Sequence, residues 1–255
     1  MTYCLAISLN DGIVFAGDTR TNAGVDYVTA YRKLHVFKPA PDRLFVIQSA
    51  GNLATTQDVL NRLRRDLDTD DGRENLRTVR YPFEAADYVG RISVAAQAQH
   101  AEALNRSGIS GETTLIVGGQ ISGEPHGIYL VYPQGNHISA SPETPYLQIG
   151  ESKYGKPMLD RIINSDLSLN DAARLALVSL EATVRSNITV GPPFQLAIYP
   201  RDTFDIAHNV TIKASSDFYN RFKNAWQEGL KNAFRTLPPF EWESGSDSVP
   251  RIGEK

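Results

Sequence analysis

The sequence predicts an α+β protein in which two β-sheets are stacked and helices cover the outer faces. Segments with the hydrophobic pattern of strands occur in three groups along the 255 residues, and a pair of helical patterns separates each group from the next. Strand groups interrupted by paired helices are typical of stacked sheets with helices outside. We therefore expect one layered domain over residues 1–213 and a helical extension over 214–255.

The first strands form a hairpin, because the apolar runs LAISL and IVFAG flank Asn10-Asp11-Gly12, which tolerate the positive φ of a tight turn. Pro82 suits the first turn of a long helix, and Ser168 or Asn170 can cap a later one. The elements after the hairpin are predicted as strands at 33–37 and 43–49, a helix from about 52 to 67, a loop at 68–74, a helix at 82–105, strands at 113–119, 127–133 and 146–150, helices at 153–165 and 169–187, and strands at 194–200 and 204–212.

The extension has its own apolar pattern. Phe218, Phe222, Trp226, Leu230 and Phe234 recur at every fourth residue, which predicts an amphipathic helix that packs on its own domain or on a neighbour. The last residues are polar and predict an arm or a disordered segment.

Composition excludes several classes of function. A net charge of -3 without a basic stripe argues against a nucleic-acid partner, and no apolar run reaches the length of a membrane span. Cys4 is the only cysteine, so we expect a reducing compartment. The first basic residue is Arg20, so we expect no signal peptide and a cytoplasmic protein.

The beginning of the chain carries the candidate chemistry. Removal of Met1 would leave Thr2 with a hydroxyl and a free α-amine on one residue, a nucleophile with its own base. A cation nearby would lower the pKa of the amine and stabilise the alkoxide, and Arg20 and Lys33 are candidates. Asp18 could hold the lysine. A surface threonine, a turn aspartate and an exposed lysine are the alternative interpretation of these residues.

Four ordered motifs resemble the β-subunits of proteasomes. They are TYCLAI with FAGDTRTNAG, YRKL with SAGNLATTQ, IGESKYGKPMLD at 149–160, and LNDAARLA with RSNITVG, and the likeness extends over nearly all of 2–213. Proteasome subunits are N-terminal-nucleophile (Ntn) hydrolases with a four-layer αββα sandwich, so the resemblance implies that fold. The single Met1 before the threonine and the extension after residue 213 resemble the bacterial ancestral β-subunit branch called Anbu.

The resemblance implies roles for single residues. The nucleophile of the family falls on Thr2, its aspartate on Asp18 and its lysine on Lys33, although the intervening loop is one residue shorter here. The glycine whose N–H completes the oxyanion hole falls on Gly51, and a serine near the nucleophile falls on Ser152.

The resemblance also implies a substrate-binding backbone near Thr21-Asn22 and Asn52, where an extended peptide would add as a strand.

One position departs from the family. Proteasomes carry an acidic residue followed three positions later by serine, whereas this chain has Ser186 and Thr189, which puts proteasome-like rates in doubt.

Other motifs predict no cofactor. The stretch 150–157 matches a phosphate-binding loop until Pro157, where serine or threonine is required. The acidic stretch 66–72 has its glycine one position late for a calcium loop, and the histidines lack metal-ligand spacing. Cys4 is expected to be a small core residue.

The sequence therefore predicts a threonine-type peptidase that acts on peptides or unfolded proteins and forms a ring or open spiral. An Ntn amidase or acyl-transfer enzyme acting on a small amide, and a catalytically weak assembly subunit, stay open as alternatives. An ATPase partner is typical of relatives, but no docking motif in the sequence identifies one.

Overall fold

A computed structural model describes residues 2–22, 28–69 and 72–244. The chain divides into two compact units, Met1–Ala214 and Ser215–Lys255. The strands are β1 (Tyr3–Leu9), β2 (Gly12–Asp18), β3 (Arg20–Asn22), β4 (Val28–Ala30), β5 (Leu34–Ala40), β6 (Arg43–Gly51), β7 (Thr113–Ile121), β8 (Gly127–Val131), β9 (His137–Ser139), β10 (Tyr146–Gly150), β11 (Phe194–Pro200) and β12 (His208–Ile212). The helices are α1 (Leu53–Asp68), α2 (Pro82–Arg106), α3 (Lys156–Ile162), α4 (Leu169–Ser186) and α5 (Asp217–Arg235), followed by a short 3-10 helix at Glu241–Ser244.

Two antiparallel sheets form the centre of the first unit. One has the order β10-β1-β2-β11-β12, the other has the order β5-β6-β7-β8-β9, and β3 and β4 form a separate ribbon. Helices α1 and α2 pack on the second sheet and α4 packs on the first, while β1 and β10 contact β6, β7 and β8 across the interface. This arrangement confirms the predicted α+β class and the four-layer αββα sandwich.

The strand alternation explains the layers. Cys4, Ala6 and Phe15 point from the first sheet into the space between the sheets, where they meet Ile116 and Ile149 in one buried cluster. A second cluster fills the space between α1, α2 and the outer face of the second sheet. Successive residues of a strand face opposite sides, so β1 contributes its other side chains to the α4 side.

Several element boundaries, those of β12, α3 and β5 among them, differ from the sequence prediction. Strand β12 begins at His208 rather than at 204, because Asp202 and Phe204 adopt positive φ angles of 64° and 50° and turn the chain. Helix α3 is limited to Lys156–Ile162. Strand β5 continues to Ala40 through a register irregularity, because it is an edge strand, where proline is tolerated.

Some predicted and observed segments do not overlap. The three-residue strands β3, β4 and β9 were not predicted, because so short a segment has no measurable periodicity. Residues 70 and 71 of the predicted loop, and the polar arm after residue 244, lie outside the described residues.

The second unit consists mainly of α5. Ser216 caps its N-terminus by accepting a hydrogen bond from the Tyr219 N–H at 3.2 Å, and the large apolar side chains Leu230 and Phe234 are exposed. The rings of Phe240 and Trp242, in the segment after α5, stack at 4.2 Å. No helix in the described ranges has the length and apolar character of a membrane span.

Candidate active site

Thr2 stands at the start of β1, between two neighbouring strands. Its successor Tyr3 pairs with Gly150 of β10, and β2 lies on the other side. The Thr2 carbonyl accepts a hydrogen bond from the Glu151 N–H at 2.7 Å. Residue 2 is half-buried and, together with Lys33, lines a small cavity. The sheet thus fixes the backbone of Thr2 beside the cation that the sequence analysis selected.

Asp18 and Lys33 form a buried ion pair next to Thr2. The Lys33 Nζ lies 2.7 Å from Asp18 Oδ1, and the side-chain exposures are 6% and 0%. The same ammonium donates to the Arg20 carbonyl at 2.6 Å. Asp18 also accepts the backbone N–H of Tyr3 at 3.0 Å and that of Gly191 at 3.4 Å. These contacts leave the Lys33 ammonium little freedom and fix a positive charge in the cavity that Thr2 lines.

Burial and the ion pair act on Asp18 in opposite directions. Burial raises the pKa of the Asp18 carboxyl, while the Lys33 ammonium and the hydrogen bonds of Tyr3 and Gly191 lower it, and the net direction is upward. Removal of the ammonium would therefore leave a carboxylate that is difficult to keep charged.

Gly51 ends strand β6 at the border of the site. Its φ is +122°, and a Cβ at this position would lie 2.4 Å from the Glu112 carbonyl oxygen. Only glycine fits such a backbone without strain. The next residue, Asn52, donates its N–H to Glu112 O at 2.8 Å and caps α1 by accepting from the Thr55 N–H at 3.2 Å. Gly51 is thus held in a conformation that its neighbours impose.

Two cavities meet at Gly51. The smaller, of about 30 Å³, is lined by Thr2 and Lys33 and also by Tyr31 and Leu53. The larger is an open groove of about 510 Å³, whose lining includes Gly51 and Glu112. A volume near 30 Å³ holds about one water molecule or a methyl group, so the described residues leave little room next to Thr2 itself.

Two of the predicted substrate-binding residues line these cavities, Thr21 the small one and Asn52 the open groove. Thr21 lines the small cavity from the β3–β4 ribbon, where it pairs with Thr29, and its buried hydroxyl has no hydrogen-bond partner among the described residues. Asn22 belongs to β3, and its side chain lies outside the described part. Asn52 borders the open groove, but its N–H and side chain are engaged in the fold, so its role there is to line the groove.

The remaining predicted residues stand at the end of α4, just after it, and directly after Glu151. Ser186 is exposed at the end of α4. The Thr189 hydroxyl donates to Asn187 Oδ1 at 2.6 Å, and Asn187 Nδ2 donates to Glu151 Oε2 at 3.0 Å. Ser152 is half-buried and directly follows Glu151, whose backbone N–H donates to the Thr2 carbonyl.

Arg20 and Cys4 have structural surroundings. The Arg20 Nη1 donates to the Ile188 carbonyl at 2.5 Å, and its guanidinium lies against Gly191, where a Cβ would come within 2.5 Å of the guanidinium carbon. Cys4 is fully buried between the sheets, and burial raises the pKa of its thiol. A thiol held neutral is a poor nucleophile.

The sequence analysis missed Glu151 and Tyr31. Glu151 is buried, with an exposure of 9%, and its place beside Thr2 depends on the pairing of β10 with β1, which the sequence does not reveal. Tyr31 lines the small cavity, but nothing in its local sequence marks it as part of a site.

Comparison with known proteins gives a consistent result. The model of the proteasome subunit family matches residues 2–199. No curated protein matches the chain.

Solved structures similar to this chain include three Anbu proteins. Anbu (ancestral beta-subunit) from Yersinia bercovieri is 42% identical, with a TM-score of 0.85, and the match covers 94% of this chain and 99% of that one. An Anbu (Gly-1) mutant from Hyphomicrobium sp. strain MC1 is 41% identical, with a TM-score of 0.87, covering 94% and 100%. A structure described as the helical assembly of the Anbu complex from Pseudomonas aeruginosa is 41% identical, with a TM-score of 0.87, covering 94% and 98%.

Proposed function

The chain belongs to the proteasome subunit family and to its Anbu branch, and from this premise we propose that it is a threonine-type Ntn hydrolase that cleaves peptide bonds. The observation that carries the proposal is the Lys33 ammonium, held 2.7 Å from a fully buried Asp18 in the cavity that Thr2 lines. A buried lysine fixed next to a threonine at the start of a strand serves the activation of that threonine better than it serves stability.

In the proposed mechanism, removal of Met1 frees the Thr2 amine. The amine accepts the hydroxyl proton while Oγ attacks the peptide carbonyl, and the Lys33 ammonium stabilises the negative charge on Oγ. The Gly51 N–H donates to the oxyanion of the tetrahedral intermediate. The protonated amine then gives its proton to the leaving amine, and water releases the acyl group from Thr2. Ser152 is proposed as a further catalytic group, and Ser186, Thr189 and Arg20 are proposed as accessories of this step.

The proposed substrate is a peptide or an unfolded protein segment in extended form. The open groove beside Gly51 and the ribbon that carries Thr21 and Asn22 both border the cavity that Thr2 lines, and we propose that an extended peptide adds to this backbone as a strand. Because the cavity at Thr2 is small, the residue before the cleaved bond would have a short side chain.

Self-assembly is part of the proposal. A relative from Pseudomonas aeruginosa is described as a helical assembly, and for this chain we propose a homo-oligomer, as a ring or an open spiral, in the cytoplasm. The exposed Leu230 and Phe234 of α5 suit contacts between copies. An ATPase partner would deliver unfolded chains to such an assembly.

Two other functions remain in competition. The same acyl-transfer residues would also serve an amidase or transferase acting on a small amide, and the small size of the cavity at Thr2 favours that candidate. The exposure of Ser186, where the family has an acid, favours a weakly catalytic assembly subunit. A peptide library assayed beside a panel of small amides separates the first candidate from a peptidase.

The decisive experiment is the intact mass of the purified protein with and without a peptide epoxyketone, a probe that reacts with the amine and the hydroxyl of an N-terminal threonine together. We expect loss of Met1 and one adduct per chain. Thr2→Ala must abolish the adduct, whereas Thr29→Ala, in the β4 strand, must not. Retention of Met1, or an adduct that persists in Thr2→Ala, would sink the mechanism.

A further inference from the structure

The missing acidic residue at position 186 raises the question of which carboxylate lies near Thr2. Glu151 belongs to a different part of the chain, directly after β10, yet its N–H donates to the Thr2 carbonyl at 2.7 Å. The backbones of Gly150 and Thr2 lie close together, since a Cβ on Gly150 would lie 1.9 Å from the Thr2 carbonyl oxygen. Glu151 is therefore attached to the residue that would carry the amine.

The Glu151 carboxylate is buried and fixed from one side. Asn187 Nδ2 donates to Oε2 at 3.0 Å, and Asn187 Oδ1 accepts from the Thr189 N–H at 3.0 Å and from its hydroxyl at 2.6 Å. Because a backbone N–H can only donate, the oxygen of the amide must face Thr189 and its nitrogen must face the carboxylate. The hydrogen bonds thus run in one direction, from Thr189 after α4 through Asn187 to the Glu151 carboxylate, and the backbone of Glu151 is bonded to Thr2.

A neutral amide does not compensate a buried charge. Glu151 is 9% exposed as a residue, and a buried carboxylate is stabilised by an opposite charge or by further hydrogen-bond donors nearby. The ion pairs formed by the described residues join other acids, Asp18 among them, and Asn187 is the side-chain donor seen at Glu151. A Thr2 ammonium would supply the opposite charge at this place.

We propose that the Glu151 carboxylate is a positioning residue for the Thr2 α-amine, and that it takes the place of the acid that position 186 lacks. The inference rests on the proposed function, since it requires a free amine on Thr2. Lys33 and Glu151 then act on the amine with opposite sign: the ammonium of Lys33 lowers its pKa and the carboxylate raises it. The two charges together keep the amine able to accept a proton near neutral pH.

The other titratable groups around Thr2 do not change when Glu151 is replaced. They are the buried pair of Asp18 and Lys33, the phenol of Tyr3, whose pKa is raised by burial, the phenol of Tyr31, which lines the same cavity as Thr2, and the exposed Lys153 on the loop after Glu151. A difference between wild type and Glu151→Gln therefore isolates the carboxylate. Glutamine keeps the size of the side chain and can still accept the hydrogen bond from Asn187.

The test is competitive acetylation of the Thr2 α-amine as a function of pH, followed by mass spectrometry of the N-terminal peptide. Full chains that begin at Thr2, released from a cleavable N-terminal fusion, contain the amine whether or not cells remove Met1. We expect the pKa of the amine to fall by about one unit in Glu151→Gln, a tenfold change in proton affinity. The control Glu143→Gln, on an exposed loop, should match wild type.

Equal amine pKa values in wild type and Glu151→Gln, or an equal shift in Glu143→Gln, would overturn the inference. Glu151→Asp keeps the charge but moves it back by one methylene, so the pKa of the Thr2 amine should fall in this variant too, by a smaller amount. If the glutamine variant does not fold, the aspartate variant provides the test. The readout needs no hydrolysis, so an inactive protein would refute the proposed function without affecting this result.

Discussion

Replacing Lys33 by methionine tests whether the ion pair at the site is sealed from water. The lysine is 6% exposed and its partner Asp18 is 0% exposed, with 2.7 Å between the charged atoms. Removing one member of such a pair leaves an uncompensated buried charge, which costs about 3–5 kcal/mol. The two backbone hydrogen bonds to Asp18 remain, so we expect a loss near 3 kcal/mol at pH 8.

The loss should depend on pH. Burial already raises the pKa of Asp18, and without Lys33 it must rise further, above its value in the unfolded chain. The folded variant then binds a proton more tightly than the unfolded variant, so its deficit is largest at high pH and shrinks as the pH falls through the pKa of Asp18.

Urea unfolding at fixed protein concentration, from pH 5 to pH 8, measures this difference. Asp18→Asn combined with Lys33→Met removes both charges and should recover most of the loss, with little dependence on pH relative to wild type. Lys38→Met breaks an exposed pair with Asp205 at 3.7 Å and should change the stability by less than about 1 kcal/mol. A Lys33→Met deficit below about 1 kcal/mol that is flat across this range would refute the reasoning.

Three further changes give separate tests. Gly51→Ala should lower the unfolding free energy by about 2 kcal/mol and block the epoxyketone adduct, because φ is +122° and Glu112 O lies 2.4 Å from the added Cβ; a normal melting curve with full labelling would contradict this. Burial lowers the pKa of His35 to about 4, so the folded protein resists protonation of this ring. Acidification from pH 7 to pH 4.5 should therefore lower the unfolding free energy of wild type by about 2–3 kcal/mol more than that of His35→Gln. Urea midpoints that fall equally in both proteins would contradict this. Tyr31→Ala should enlarge the cavity of about 30 Å³ that Leu53 also lines. Cleavage of a peptide library should then shift towards larger residues before the cleaved bond, and an unchanged cleavage preference would contradict this.

Features set by neighbouring residues were predictable from the sequence, and features set by distant pairing were not. The turn at Asn10-Asp11-Gly12 was predicted because it depends on local φ preferences, and Gly12 pairs with Leu9 as expected. Glu151 was missed because its place depends on the pairing of β10 with β1, which joins residues nearly 150 positions apart in sequence. Ser186 could be recognised as a missing acid, but its exposure at the end of α4 required the structure.

The contacts of Asp18 have a consequence for when the site comes into existence. One carboxylate joins the start of β1 through Tyr3, the approach to β5 through Lys33 and the segment before β11 through Gly191. Contacts between segments so far apart form late, because the intervening loops must close first. A chain still emerging during synthesis therefore carries Thr2 without the neighbouring ammonium, and under the proposed mechanism its hydroxyl is activated only once the first sheet is complete.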